Sequence, residues 1–172
     1  MVIIVEGIDR VGKTTLCNML RDELGFTIYK HNDKCFEYSK MDNDNETDKM
    51  LQLIDLYKQV GNGGNLIFDR FHWSDYVYGK LERKYEEIKA VNNLQIIEEK
   101  LKEVNAIIVY VEPTNIDVSS SKHGKSLLWY DYEMKECFER SDLSKIKTSY
   151  NNLNDAVEFV AEELYKEKTN VR

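Results

Sequence analysis

The chain has 172 residues with 32% charged side chains, and its eight glycines and single proline leave no low-complexity segment. This length favours a single domain covering 1–172 over two independently folded units. The formal net charge of −7 argues against a nonspecific nucleic-acid-binding protein, because such proteins present clustered lysine and arginine to phosphates.

Cysteine spacing and hydropathy further limit the class of protein to which the chain can belong. Cys17, Cys35 and Cys137 lie far apart and form no C-x-x-C pair, which favours reduced thiols over a disulfide framework or a zinc site. No apolar window approaches the roughly 20 residues that cross a bilayer, and the apolar run before Glu6 is too short for a signal peptide. We therefore expect a cytoplasmic protein without a membrane partner, in the host cytoplasm if it is viral.

The first fifteen residues, MVIIVEGIDRVGKTT, join a β-prone run to a glycine-rich loop. After the apolar run at 2–5, Gly7 and Gly12-Lys13-Thr14 follow the G-x-x-x-x-G-K-[ST] spacing. In this pattern backbone amides surround a phosphate, the lysine bridges the terminal phosphates, and the threonine hydroxyl holds Mg²⁺. The apolar residues that follow at helical spacing are Leu16, Met19, Leu20 and Leu24. Strand, loop and helix in this order predict binding of a nucleoside triphosphate.

Hydrophobic patterning predicts alternating strands and helices along the chain. The predicted strands cover 2–5, 26–29, 65–69, 106–111 and, with a weaker pattern, 145–150. The predicted helices lie around 16–24, 50–60, 94–104, 134–138 and 153–164. The polar segment 32–48, with its acidic run, is expected to be a mobile, solvated loop, and the serine-rich segment 114–126 a surface loop or flexible lid. This alternation implies right-handed crossovers and a mostly parallel sheet covered on both faces.

A second motif, DRFHWS at 69–74, follows the third predicted strand. Open α/β sheets bind ligands at the carboxyl ends of their strands, so Asp69 and Arg70 are candidates for the same site as the phosphate loop. Arginine suits a phosphate because its planar group donates two parallel hydrogen bonds. With Lys13, Arg10 and Mg²⁺, Arg70 would supply the positive charge that phosphoryl transfer requires.

Together, EGIDRVGKTT at 6–15 and DRFHWS at 69–74 resemble the thymidylate kinase family, most of all its short, divergent phage and viral members. The resemblance implies an α/β P-loop kinase fold, with a mostly parallel five-stranded sheet flanked by helices and a short lid. It implies transfer of the ATP γ-phosphate to a deoxynucleoside monophosphate, dTMP before others, with Mg²⁺ as cofactor. It also implies small-molecule nucleotides as partners and a homodimer.

The resemblance assigns roles to residues of both motifs. Asp9 would contact the acceptor's sugar or help to place its phosphate, and Arg10 would reach the migrating phosphoryl group. Asp69, with Thr14, would lie near magnesium, and Arg70 would clamp the acceptor phosphate. The expected ATP-binding residues are Gly7, Asp9, Arg10, Val11, Gly12, Lys13, Thr14 and Thr15, and the expected catalytic residues are Lys13, Arg10, Asp69 and Arg70.

The acceptor pocket is expected to contain Asp9, Arg70, Ser74, Tyr78, Phe36 and Tyr57. Tyr78 falls where the family places an aromatic residue against the deoxyribose. Ser74 would bond the acceptor or cap the next helix. Phe36, Tyr38 and Tyr57 compete for the position that stacks on the base, and each is also a candidate core residue.

Two further features bear on specificity. The lid offers Lys122 and Lys125 but no arginine, which agrees with a transfer arginine at Arg10. The helix at 48–60 has no arginine, whereas the family usually has one there that hydrogen-bonds the pyrimidine base. Base specificity therefore stays open. The alternatives are a kinase acting on a deoxynucleoside or on a modified base, even within DNA, and a nucleotide-binding module without catalysis.

Structural roles compete with these functional ones. Asp9 and Asp69 would serve as caps, Arg70 as an ion-pair residue and Arg10 as a solvated loop charge. The histidine and tryptophan at 72–73 would either line the acceptor pocket or pack as buried, hydrogen-bonded residues.

Overall fold

The computed structural model describes residues 1–30, 43–60, 64–114 and 126–170. The strands are β1 (Val2–Glu6), β2 (Thr27–Lys30), β3 (Leu66–Asp69), β4 (Ile107–Glu112) and β5 (Ser144–Ser149). The helices are α1 (Lys13–Leu24), α2 (Asn43–Gln59), α3 (His72–Tyr78), α4 (Glu87–Lys102), α5 (Leu127–Arg140) and α6 (Leu153–Asn170). A π-helical turn (Gly79–Arg83) extends α3, and a 3-10 turn (Tyr150–Asn152) precedes α6.

The five strands form one parallel sheet in the order β2-β3-β1-β4-β5. β1 pairs with β3 in a register that places Val5 opposite Asp69, and with β4 in a register that places Glu6 opposite Tyr110. Because the strands are parallel, their carboxyl ends meet at one edge, where both sequence motifs begin. The predicted five-stranded α/β sheet is confirmed.

The core is centred on β1 and β4. Every residue of β1 is buried, and β4 is buried from Ile107 to Val111. Such continuous apolar runs suit strands that carry helices on both faces, since alternate side chains point to opposite faces. β5 is an edge strand and is buried fully only at Thr148, which explains its weak hydrophobic pattern.

Cys17 and Cys137 are buried free thiols. Burial raises the pKa of Cys17 to about 12 and also raises the pKa of Cys137, so both groups stay protonated at neutral pH. Within the described part of the chain, no helix is long and apolar enough to cross a membrane.

The acidic run before α2 is a helix start, which corrects the predicted loop over 43–48. Asp44 and Glu46 lie in the first turn of α2, where carboxylates are stabilised by the positive end of the helix dipole. Lys89 of α4 pairs with Asp44 at 2.5 Å, and Glu46 is 2% exposed. Residues 31–42 and 115–125, which include most of the predicted lid, lie outside the described residues.

Helix α3 and its π-helical extension are not predicted from the sequence pattern. Five of the seven residues of α3 are buried, so the segment shows no amphipathic period by which a helix is recognised. Gly79 makes room for the ring of Tyr85, because a Cβ at this position would overlap that ring.

Candidate active site

The loop between β1 and α1 depends on two glycines. Gly7 has φ of +144° and Gly12 has φ of +102°, both in the region that favours glycine. A Cβ at Gly7 would lie 2.4 Å from the carbonyl oxygen of Val111, and one at Gly12 would lie 2.6 Å from Cδ2 of Tyr150. Among the described residues no side chain caps α1, and its first turn holds no acidic residue. A helix N-terminus in this environment suits an anion.

Lys13 is buried beneath this loop. Its Nζ donates a hydrogen bond to the carbonyl oxygen of Ile8 at 2.5 Å. Burial, and after it the charge of Arg70, lowers the pKa of Lys13 to about 8, although Asp9 and Asp69 oppose the shift. A desolvated ammonium of this kind gains from an approaching phosphate, which stabilises its charged form.

The remaining loop side chains differ in exposure. Arg10, Thr14 and Thr15 are exposed, Asp9 is half-buried, and Val11 is buried in the core. Arg10 has φ of +65°, a left-handed conformation that is unfavourable for a residue with a Cβ. Strained non-glycine residues concentrate at functional sites, so this geometry supports the interest in Arg10.

Arg70 joins the second motif to the loop. Its backbone amide donates to the carbonyl oxygen of Val5 at 3.0 Å, and its Nη2 pairs with the Asp9 carboxylate. Its Nη1 lies 3.4 Å from both Ser74 Oγ and the Tyr78 hydroxyl. Burial lowers the pKa of Arg70, but Tyr78 and Asp9 outweigh it and raise the pKa above its ordinary value. The sheet thus brings the two motifs together, and Arg70 stays charged.

Asp69 lies beside a cation that the sequence analysis missed. Its Oδ2 is 3.5 Å from the Nζ of Lys30, and the Asp69 side chain is 11% exposed against 55% for Lys30. Lys30 ends β2, the strand next to β3. A charged residue directly after a predicted strand is the signal that could have identified it.

Glu6 is a second residue that the sequence analysis did not assign. It is 0% exposed and ends β1. Its Oε1 accepts hydrogen bonds from the amides of Phe71 at 2.9 Å and Ser74 at 3.2 Å, and its Oε2 accepts one from Ser74 Oγ at 2.5 Å. From another strand, Glu6 satisfies the N-terminal amides of α3 that an N-cap side chain usually satisfies.

Tyr78 lies against a second tyrosine. Its ring centroid is 4.9 Å from that of Tyr130, and the guanidinium of Arg70 lies 5.4 Å from the centre of the Tyr78 ring. The Tyr130 hydroxyl donates to Glu82 Oε1 at 2.8 Å. Arg70 thus has an aromatic wall on one side and the Asp9 carboxylate on another.

Tyr57 lies at the opposite edge of the sheet, which corrects its predicted place in the acceptor pocket. Its hydroxyl accepts a hydrogen bond from the amino group of Met1 at 2.9 Å and donates one to the carbonyl oxygen of Gly64 at 3.0 Å. Both partners precede strands, so they lie at the amino edge. Phe36, Tyr38, Lys122 and Lys125 lie outside the described residues.

His72 and Trp73 face α4 as buried packing residues. Trp73 Nε1 donates to Glu98 Oε1 at 3.0 Å, and His72 Nε2 lies 3.4 Å from the same oxygen. Burial raises the pKa of Glu98, but His72 and Trp73 outweigh it, so the pKa lies below its ordinary value. Trp73 therefore fits the structural, hydrogen-bonded role. His72 is buried, but neither of its ring nitrogens has a hydrogen-bond partner among the described residues.

No protein-family model matches the chain. The SPbeta prophage-derived protein YorR of Bacillus subtilis is 33% identical over 109 residues, a match that spans 63% of this chain and 59% of YorR. A crystal structure of YorR in complex with phosphorylated GDP superposes with a TM-score of 0.74 at 23% identity, covering 98% of both chains.

Two kinases of known structure are also similar. Deoxyadenosine kinase from M. mycoides, with dCMP as product, has a TM-score of 0.56 at 15% identity, covering 96% of this chain and 100% of the kinase. Thymidylate kinase from Ehrlichia chaffeensis has a TM-score of 0.57 at 14% identity, covering 95% of this chain and 98% of that kinase. The chain has the P-loop kinase fold. This fold explains why the glycine-rich loop and the pair Asp69-Arg70 lie at the same edge of the sheet.

Two side chains of the sequence motifs, Thr14 and Asp69, offer oxygen atoms of the kind that bind magnesium. Magnesium prefers oxygen ligands and is usually held by one or two carboxylates together with substrate phosphates. Among the described residues, no group of three or more His, Cys, Asp or Glu could hold a metal ion. The Thr14 hydroxyl and the Asp69 carboxylate are two oxygen ligands, so they would hold magnesium only together with nucleotide phosphates, whose negative charge the ion would neutralise.

Proposed function

We propose that this protein transfers the γ-phosphate of ATP to a deoxynucleoside monophosphate, with dTMP as the leading acceptor. The observation that carries the proposal is the pairing of Arg70 with Asp9. It places a guanidinium from the D-R pair directly against the phosphate-binding loop. Two cations from separate segments, Lys13 and Arg70, then lie at the same edge of the sheet.

The donor side follows from the loop. ATP would lie with its phosphates on the loop amides, and Lys13 would leave the carbonyl oxygen of Ile8 for the terminal phosphates. Arg10 would contact the transferred group, since its side chain is exposed. Thr14 and Asp69 would hold Mg²⁺. Phosphoryl transfer depends mainly on such positioning and on electrostatic stabilisation.

The acceptor side is built around Arg70. Its guanidinium would bind the 5′-phosphate by two parallel hydrogen bonds. The Tyr78 ring next to it would pack against the sugar, which disfavours a ribose 2′-hydroxyl. Tyr130 supports that ring from behind, because it is 1% exposed and its hydroxyl is held by Glu82.

The test is phosphate transfer from labelled ATP to a panel of deoxynucleoside monophosphates. We expect dTMP to be converted to dTDP faster than the other monophosphates, and Arg70→Ala to raise the KM for the acceptor while leaving ATP binding intact. Conversion of no monophosphate would refute the proposal. Equal acceptor kinetics in the Arg70 variant would refute the clamp.

A deoxynucleoside kinase is the second candidate, and one observation favours it. Helix α2 (Asn43–Gln59) carries no arginine, so the arginine with which a thymidylate kinase usually hydrogen-bonds the pyrimidine base has no counterpart there. A solved deoxyadenosine kinase shares the fold. The same panel therefore includes deoxynucleosides and oligonucleotides with modified bases. Transfer to a nucleoside or an oligonucleotide, without transfer to monophosphates, would select this candidate. ATP binding without any transfer would select a noncatalytic nucleotide-binding module.

A further inference from the structure

Glu6 is a buried carboxylate that the proposed phosphate contacts leave without a role. No cation forms an ion pair with it among the described residues, and its three hydrogen bonds all come from Phe71 and Ser74. A buried charge is costly unless it is well hydrogen-bonded. Its partners lie 65 and 68 residues away along the chain. The hydrogen bonds that offset the free-energy cost of burying Glu6 therefore also connect β1 to the start of α3.

The hydroxyl of Ser74 links Glu6 to Arg70. A serine hydroxyl has one proton to donate and lone pairs to accept. The proton is directed to Glu6 Oε2 at 2.5 Å, so the oxygen is left to accept from Arg70 Nη1, which lies 3.4 Å away. The carboxylate sets the direction of these two hydrogen bonds, because a carboxylate accepts hydrogen bonds and cannot donate them.

We propose that Glu6 is a positioning residue for the acceptor, which holds Ser74 and the start of α3 so that Arg70 is presented to the acceptor phosphate. The inference rests on the function proposed above. The Arg70 backbone is fixed independently by its hydrogen bond to Val5. Glu6 therefore acts on the guanidinium through Ser74 and does not touch the acceptor itself.

Glu6→Gln tests the direction of the hydrogen bonds that run from Arg70 through Ser74 to Glu6, because glutamine has nearly the same shape as glutamate. The glutamine oxygen can still accept the two amides, but its NH₂ group would donate towards Ser74 Oγ. The Ser74 proton would then turn outwards and compete with Arg70 Nη1. We expect the KM for the acceptor to rise by about tenfold or more, as for the loss of a hydrogen bond to a charged group, with the KM for ATP unchanged.

The matched control is Glu98→Gln. Glu98 is also a largely buried carboxylate bonded to α3, through Trp73, but it belongs to α4 and has no hydrogen bond to Ser74 or Arg70 among the described residues. Both variants are expected to lower the melting temperature, and Glu6→Gln alone is expected to change the KM for the acceptor. Ser74→Ala should reproduce that change, and the double variant Glu6→Gln/Ser74→Ala should be no worse than Ser74→Ala, because the two residues act as one unit. Ser74→Ala also serves if Glu6→Gln does not fold.

An unchanged KM for the acceptor in Glu6→Gln and Ser74→Ala, or additive effects in the double variant, would overturn the positioning role. A wild-type protein that phosphorylates nothing would instead refute the proposed function. In that case the role is read without turnover, from NMR of the Arg70 guanidinium. Its rotation should be faster in Glu6→Gln than in wild type and unchanged in Glu98→Gln, and equal rotation in all three proteins would overturn the inference.

Discussion

The two cations at the sheet edge, buried Lys13 and half-buried Arg70, are held in opposite ways. Lys13 is desolvated next to a second positive charge, and its pKa falls to about 8. Arg70 has a carboxylate and a tyrosine hydroxyl beside it, and its pKa rises. Arginine is therefore suited to remain charged before an acceptor arrives, whereas Lys13 gains its full charge from a bound phosphate.

Lys13→Met is expected to change how stability depends on pH. The pKa of Lys13 is lowered from 10.5 to about 8 in the folded chain, so the unfolded chain binds more protons between these values. Wild-type stability therefore rises with pH across this window. The difference in unfolding free energy, variant minus wild type, should be about 3 kcal/mol smaller above the window than below it. Urea unfolding at pH 7 to 11 measures it.

If the difference in unfolding free energy between Lys13→Met and wild type stayed flat from pH 7 to 11, the fold would not disfavour the charge of Lys13.

Arg10→Gly is expected to separate stability from turnover. The left-handed φ of +65° is unfavourable for arginine and allowed for glycine, so the unfolding free energy should stay equal or rise by about 1 kcal/mol. Turnover should fall by about tenfold or more, because the proposed contacts of Arg10 strengthen in the transition state. Chemical unfolding and kcat measure the two effects.

Lys84→Gly is the control for the backbone effect. Lys84 is exposed and has φ of +56°, but it caps the π-helical turn away from the loop. It should change stability as Arg10→Gly does and leave turnover alone. Unchanged turnover in Arg10→Gly would assign the transfer charge to another cation, with Lys122 and Lys125 as the next candidates.

At the scale of elements, the strand-loop-helix unit at the N-terminus was predictable, because its glycine spacing encodes a local backbone path. α3 was not predictable in the same way. Five of its seven residues are buried, and these include the polar His72 and Ser74, so polarity along the sequence does not mark its buried face. The acidic start of α2 was read as a loop, since contacts with α4 such as Lys89 with Asp44 are invisible in local composition.

Gly12→Ala is expected to abolish ATP binding. The new Cβ would contact the ring of Tyr150 and would hold a left-handed φ, so the loop must change its path. The double variant Gly12→Ala/Tyr150→Ala removes the contact but keeps the unfavourable φ, and binding should stay lost. Calorimetric titration with Mg²⁺ and ATP measures both variants.

Gly25→Ala is the control for this element. Gly25 also has positive φ, of +74°, but a Cβ there meets nothing within 4 Å. It should lower the unfolding free energy by about 1 kcal/mol and leave ATP affinity unchanged. Full ATP binding in Gly12→Ala would contradict the proposed role of the loop.

At the scale of the molecule, the parallel sheet makes a single edge from segments that are far apart in the chain. Asp9 and Arg70 are 61 residues apart and in contact. Strand order and register bring the glycine-rich loop and Arg70 together, so both halves of the proposed site are positioned by the same sheet.

The rise in melting temperature caused by each ligand should report the ATP-binding half and the acceptor-binding half of the proposed site separately. Mg²⁺ and ATP at about 100 times the Kd stabilise a folded protein by about 2.7 kcal/mol, which raises Tm by roughly 5–10 °C for a chain of this size. Lys13→Ala should lose this rise. Arg70→Ala should keep it and lose the additional rise caused by the acceptor. Loss of the ATP-dependent rise in Arg70→Ala would show that Arg70 belongs to the donor half. Differential scanning calorimetry measures these shifts.

The sequence by itself determined the alternating elements and the glycine-rich loop, and it predicted roles for Asp69 and Arg70, because these follow from spacing over a few residues. The partners of those residues were decided by the tertiary structure. Glu6 with Ser74, Lys30 with Asp69, and Tyr57 at the amino edge depend on which strands are neighbours and in what register. Spacing along the chain does not encode strand order, and so the contacts that orient the site appear only when the sheet is assembled.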